Sequence, residues 1–370
     1  MGSPIDKITL QGFKSIRALD LPLGKLNILI GANGAGKSNF VSFFRLLSAI
    51  ADERLQKFVL EQGGPDDFFF MGPKYTPRIS AHVVFGEHAY EFELSPTTST
   101  DLMIGEERIH HAGGHDVGGT TYARRESSRE SCLKWHHGLP QALREFFRTD
   151  VYGHVSGWIV YHFHDTSMLA PMRRQGSVRD NEYLRPDAGN LAAFLLMLRE
   201  RHSSVYAKIR ETVRLAAPFF DDFTLRPKAS NGDEALQLEW TQRDSDYPFH
   251  VNQLSDGTLR FMALTTALLQ PDPPATMLFD EPELGLHPYA LNLFAGLVKK
   301  AATRTQIIVS TQSAPLLDNF EAEDIIVVDR QKGESIFRRL SSDDLAEWRK
   351  DYSLGELWQK NVFGGRPADD

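Results

Sequence analysis

An α/β fold built on a mainly parallel sheet is predicted by three observations in this 370-residue chain. Short apolar runs alternate with helical segments through its last third, the pattern of β–α units. The glycine-rich "GANGAGKSN" sits between the apolar run "LNILI" and the helical face of "FVSFFRLLSAI". Near the start, "KITLQGF" and "RISAHVVFGEHAYEFEL" alternate apolar and polar residues, which predicts an antiparallel β portion beside the parallel sheet.

Taken in order, "KITLQGF" and "LNILI" read as strands, and a helix follows the glycine-rich loop. Arg78 to Leu94 reads as a hairpin turning near Gly86 and Glu87. Residues 96 to 138 are rich in Ser, Thr, Gly, His and Arg and read as loop or a poorly ordered insertion. Residues 157–165 predict a strand, Asn190 to Leu215 one or two helices, and "ALQLEWTQ" another strand. The closing units are a helix after Gly257, a strand from Thr276 to Asp280 and a helix after Pro288. Strand 306–310, a helix after Pro315 and strand 324–330 complete them. No heptad pattern persists, which excludes a long coiled coil. The expected organisation is one head with an N-terminal lobe (1–95), an insertion (96–186), a helical region with the later motifs (187–340) and an extension (341–370).

Bulk properties narrow the class. A net charge of −8 argues against a protein that coats nucleic acid, while leaving room for a local basic groove. The lone Cys132 excludes an intrachain disulfide and suits a reducing compartment. No leader opens the chain, and the apolar stretch Ala192 to Leu198 is far too short for a bilayer. A cytoplasmic protein without a membrane partner is expected.

Two motifs carry chemistry. "GANGAGKS" satisfies GxxxxGK(S/T) between a strand and a helix, the context that a phosphate-binding loop requires. Gly31, Gly34 and Gly36 let the backbone N–H groups turn inward around a phosphate, with Asn33, Ala35 and Asn39 completing the loop. Lys37 is placed to bridge the β- and γ-phosphates, and the Ser38 hydroxyl to ligate Mg²⁺. "TMLFDEP" ends an apolar strand in two acids. Asp280 is placed to hold Mg²⁺ and Glu281 to polarise the attacking water. An acidic strand-to-loop turn is the bland alternative; the phosphate loop in the same chain favours the chemical one. In "QLSDGTLRFMAL", Ser255 reads as an N-cap with Asp256 at the positive end of the helix. The same N–H groups and hydroxyl suit a γ-phosphate, and both readings hold together.

The order of "ITLQGFKSI", "LNILIGANGAGKSN", "LSDGTLRFMAL", "LFDEPELGLHP" and "STQS" resembles ATP-binding-cassette ATPases of the SMC, RecF and OLD branch. It looks most like the compact stand-alone bacterial ATPases of that branch. The resemblance implies a P-loop NTPase with a two-lobed head, in which two copies sandwich two ATP molecules. Ser255 and Gly257 of one copy would then serve the other's nucleotide, and His287 would lie near the junction. It also implies a basic residue near the nucleotide at Lys14. Asp256 and Thr258 depart from the LSGGQ pattern, and Gln312 stands where many such enzymes place a switch histidine. Gln312 donates a hydrogen bond without carrying charge, so slow turnover and switching are expected. Gln62 and Gln175 are both candidates for the glutamine that links the lobes.

Other features are weighed against plainer readings. His110, His111, His115, Cys132, His136 and His137 crowd one region, but their spacing fits no zinc template. His162 and His164 suit packing or lobe contacts. Arg173, Arg174, Arg179 and Arg185 suit a solvated face, or a contact with DNA or a partner protein. A small-molecule kinase leaves "LSDGT" and "DEP…HP" unexplained. An AAA+ ring enzyme lacks this signature, and an ATP-gated scaffold does not need Glu281. Branch members that carry a nuclease place it after the ATPase, which leaves a separately encoded effector as the expectation here, in DNA repair or in defence against phage and other mobile DNA.

Overall fold

The computed structural model describes residues 3–97, 101–111, 120–124, 126–134, 151–230 and 233–365. Strands β1 (Lys7–Phe13), β2 (Ile16–Pro22) and β3 (Leu26–Ile30) lead through the glycine-rich loop into a 15-residue helix, Lys37–Ala51. Next come β4 (Ile79–Phe85), β5 (His88–Pro96), β6 (Leu102–His111), β7 (Thr120–Arg124) and β8 (Trp158–Tyr161). Beyond them lie β9 (Gly176–Ser177), helices Leu191–Arg201 and Ser203–Ala216, and β10 (Phe220–Thr224). Short strands β11 (Lys228–Ser230), β12 (Asp233–Leu236), β13 (Glu239–Gln242) and β14 (Pro248–His250) follow. The last part runs through helix Asp256–Leu269, β15 (Thr276–Asp280), helix Pro288–Ala301, β16 (Gln306–Thr311), β17 (Ile325–Gln331) and β18 (Glu334–Arg339). No described helix exceeds 15 residues, and none is long and apolar enough to cross a membrane.

Strands β17-β3-β16-β15-β8 are parallel neighbours, and β18 adds an antiparallel edge. A second, antiparallel sheet runs β2-β1-β4-β5-β6-β7, and two three-stranded sheets, β10-β13-β14 and β11-β12-β9, stand apart. The parallel strands are apolar on both faces because each face has its own core. Ile28, Met277, Phe279, Ile307 and Val327 enter one core with the helices. Leu29, Leu278, Ile308, Ile326 and Val328 enter the other, with the antiparallel sheet and helix Lys37–Ala51. That arrangement explains "LNILI" and "QIIVS" as continuous apolar runs. Buried Gln306 ties the two sheets: its amide donates to Ile5 O (2.7 Å) and Gly24 O (2.9 Å), and its oxygen accepts from Ile5 N (3.0 Å).

Three expectations need correction. Residues 102–111 form a ten-residue strand, not loop. Its inward positions Leu102, Ile104, Glu107 and Ile109 are buried, and a buried glutamate hides the apolar alternation. Glu107 lies there because Tyr90 Oη (2.6 Å), the Ser131 hydroxyl and Cys132 N (3.0 Å) all donate to it. "ALQLEWTQ" divides into β12 and β13, in different sheets. The helix at Pro315 is a single turn, Ala314–Leu317, capped by the Ser313 hydroxyl.

Candidate functional site

The carboxyl ends of the parallel strands meet at one edge, where an open α/β sheet places its ligands. Ile30, Thr311 and Val327 stand in register, and Asp280 pairs with Ser310. There Ala32, Asn33, Gly34, Gly36, Lys37, Ser38, Asn39, Glu281, Gln312 and Arg330 line a cleft of about 170 Å³.

Two of the loop glycines have a steric reason to be glycine. A side chain on Gly31 would fall on the carbonyl oxygen of Val328. Gly36 has φ +116° and lies against the Ser335 hydroxyl. Lys37 is buried and folds back onto its own loop, donating to Gly31 O (2.6 Å) and Ala32 O (3.1 Å). Burial pushes its pKa down, and the nearby Glu281, Asp280 and Glu283 oppose that shift. Ser38 is exposed at the first turn of the helix. Asn39 lines the cleft and donates to Ser15 Oγ (2.6 Å).

The loop has a rear wall that sequence reasoning missed. Ser335 Oγ donates to Ala35 O (2.6 Å), shares a hydrogen bond with Ser15 Oγ (2.6 Å), and Ser335 N donates to Ser15 O (2.8 Å). Arg330 donates to Gly34 O (3.0 Å) and lines the cleft. Its signal was its place at the carboxyl end of a strand beside β3, visible once the strand order is known.

Opposite lies the acidic edge. Glu281 adopts a left-handed φ of +40°, held by its N–H to Ser310 O (2.7 Å), and accepts a hydrogen bond from the Gln312 amide. Glu283 accepts from Thr311 Oγ1 (2.6 Å) and Gln312 N (2.8 Å), and burial pushes its pKa up. Asp280 Oδ1 and Ser310 Oγ are buried without a hydrogen-bond partner among the described residues. These orphaned oxygens and the accessible Ser38 hydroxyl are hard oxygen donors, the chemistry that suits a divalent cation with its water shell.

The remaining candidates are not all brought together. Ser255 caps helix Asp256–Leu269, accepting from Thr258 N (3.2 Å), and it is exposed and outside this cleft. Gly257 is also outside it, packed so closely that a side chain would strike Gly285 O. Gly257→Ala is expected to lower the thermal midpoint by several degrees, because backbone rather than a flexible side chain blocks the methyl group. Calorimetry checks this. Lys14 does not line the cleft: its ammonium lies over the Phe68 ring, 5.3 Å from the centroid. His287 caps helix Pro288–Ala301, accepting from Tyr289 N (3.2 Å). Neither Gln62 nor Gln175 lines the cleft.

Arg173 is not part of a solvated face. It is buried and donates to Val251 O (2.7 Å), Leu254 O (3.3 Å) and Asp256 Oδ1 (2.8 Å), clamping the turn before the signature helix. Arg185 pairs with Asp180 and Asp187. His115, His136 and His137 lie outside the described residues, and among the described ones no group of three or more His, Cys, Asp or Glu is placed to hold a metal. His110 contacts Thr121 and Glu91, and His111 contacts His88.

Residues 133–319 match the family described as "AAA domain, putative AbiEii toxin, Type IV TA system". The chain belongs to this AAA domain family. The matched span of this AAA-type ATPase domain holds the signature, both acids and Gln312. A curated relative, the OLD nuclease of Thermus scotoductus (strain ATCC 700910 / SA-01), is 23% identical over 353 residues. The match takes in 88% of this chain and 62% of that relative's length. Among solved structures, an Smc head bound to the C-winged helix domain of ScpA superposes with a TM-score of 0.57 at 17% identity, covering 93% of this chain and 99% of that one. An Smc head with an extended coiled coil, bound to the C-terminal domain of ScpA derived from Pyrococcus furiosus, gives 0.56 at 15% identity, covering 94% and 99%. The AAA domain thus has the fold of an Smc head, without a long coiled coil among the described residues.

Proposed function

We propose that the chain binds ATP with Mg²⁺, hydrolyses the nucleotide, and dimerises around two ATP molecules to switch a separately encoded effector. One observation carries this reading: Ser255 caps an exposed helix end that lies outside the cleft of its own chain. A helix N-terminus with free N–H groups favours an anion, and a second copy supplies one in its bound nucleotide. In this reading Gly31–Asn39 wrap the phosphates, Lys37 neutralises them, and Ser38 and Asp280 hold the cation. The cation, when bound, offsets charge on the phosphates. Glu281 orients and polarises water, and Gln312 holds the Glu281 carboxylate in place. Arg330 joins the phosphate contacts.

The OLD nuclease relative favours a nuclease as the effector class, in repair or defence against mobile DNA. The exposed Arg174, Arg179 and Arg185 offer a local contact for nucleic acid. Ser255→Arg is expected to bind ATP normally and lose hydrolysis. Mixed in equal amounts with Lys37→Ala it should regain roughly a quarter of wild-type turnover, since half of randomly paired dimers are mixed and each holds one complete site of two. No recovery on mixing would overturn the assignment of Ser255 to the partner's nucleotide.

A further inference from the structure

Between β8 and the signature lies a segment, Phe163 to Arg173, that is fixed at both ends by buried arginines. Arg260, one turn into the signature helix and buried, donates from Nε to Phe163 O (2.9 Å) and from Nη2 to His164 O (3.1 Å). It forms no ion pair with a described carboxylate; backbone carbonyls alone satisfy those two nitrogens. At the other end, Arg173 donates from Nε to Thr166 O (2.9 Å) and reaches Val251, Leu254 and Asp256. A planar guanidinium bonded to two or more carbonyls holds them in one relative position, because rotating any partner breaks a bond that burial makes costly to lose.

The segment also reaches the acidic strand. Strand β8 pairs with β15 only as far as Tyr161 opposite Phe279, so the Asp280 carbonyl lies one residue past the ladder. His164 Nε2 donates to that carbonyl at 2.6 Å, replacing the missing ladder bond. Gly257 packing on Gly285 gives a second connection, from the signature helix to the far side of the acidic loop.

We propose that Phe163–Arg173 is a coupling strap, through which the signature end of the helix sets the position of the Asp280–Leu286 backbone. Arg260, Arg173 and His164 are positioning residues in it. None touches the phosphate cleft. The trigger, a partner's nucleotide at Ser255, rests on the two-copy reading above; the strap itself is a property of one chain. A shift of the helix end moves the Phe163 and His164 carbonyls with Arg260, and His164 passes the shift to the residue that carries the cation-binding carboxylate.

The test begins without nucleotide. The amides of Glu281, Leu284 and Leu286 are hydrogen-bonded within the fold, so their exchange reports on the local order of this loop. His164 is exposed, so its replacement leaves the core untouched. His164→Ala and Arg260→Lys should each speed exchange across residues 281–286 at least about fivefold, while His164→Gln, which keeps a side-chain N–H donor, should not. With ATP, His164→Ala should lower kcat about tenfold with KM unchanged, and His164→Gln should restore it. Wild-type exchange and turnover in His164→Ala would overturn the link to Asp280. Wild-type exchange in Arg260→Lys would overturn the link to the signature helix. Failure of Glu281→Gln to dimerise would remove the two-copy reading, yet the nucleotide-free exchange would still decide the strap.

Discussion

Lys37→Ala is expected to weaken ATP binding by more than a hundredfold, measured by titration with a fluorescent nucleotide. Among the described residues Lys37 Nζ holds only the Gly31 and Ala32 carbonyls, so it is available to a phosphate without first breaking an ion pair. Its loss removes one charge-assisted hydrogen bond, worth about 1.5–3 kcal/mol. It also leaves Asp280, Glu281 and Glu283 acting on the cleft without the cation whose charge they now balance. Repulsion of a polyphosphate by that uncompensated field acts in the same direction, so the two losses reinforce each other. Thermal stability should change little, because the substitution also removes a buried charge. Unchanged ATP affinity would remove the loop's assignment.

Glu281→Gln should bind ATP within about twofold of wild type while kcat falls at least a hundredfold, the usual range for removing a general base. The substitution keeps the side chain's shape and the φ of +40° that aims it, and removes only the carboxylate charge. Because hydrolysis would normally separate the copies, the variant should accumulate as an ATP-dependent dimer on a sizing column. A monomer at high protein concentration with ATP and Mg²⁺ would sink the sandwich arrangement. Turnover near wild type would reassign Glu281 to a structural role and point to Glu283 or Gln312 instead.

The parallel sheet was legible because its strands, buried on both faces, read as unbroken apolar runs between helices. The same sheet places the residues singled out for chemistry: Lys37 and Ser38 open the helix after the loop that leaves β3, Asp280 ends β15, and Glu281 and Gln312 follow β15 and β16 directly. Strand β6 was illegible for the opposite reason: Glu107 occupies an inward position, paired with hydroxyls that the sequence does not announce. Arg173 looked like surface charge, since nothing local shows that it will cap carbonyls about eighty residues away. Arg330 and Ser335 lie some 300 residues from the loop they support, a distance no local pattern spans. Gly257 stood out through its place in the signature, and nothing local announces its packing against Gly285.

The rear wall of the phosphate loop has a consequence for synthesis. Residues 31–38 leave the ribosome early, yet Val328, Arg330 and Ser335, which press on Gly31, hold Gly34 and cap Ala35, emerge almost three hundred residues later. Until the β17–β18 hairpin seats against Ser15, the loop has its own Lys37 and the helix behind it, but no rear wall. On the proposed reading, the nascent chain gains its grip on nucleotide only once that hairpin is in place. A second copy, engaged through ATP in that reading, would meet a chain whose six-stranded sheet is already complete.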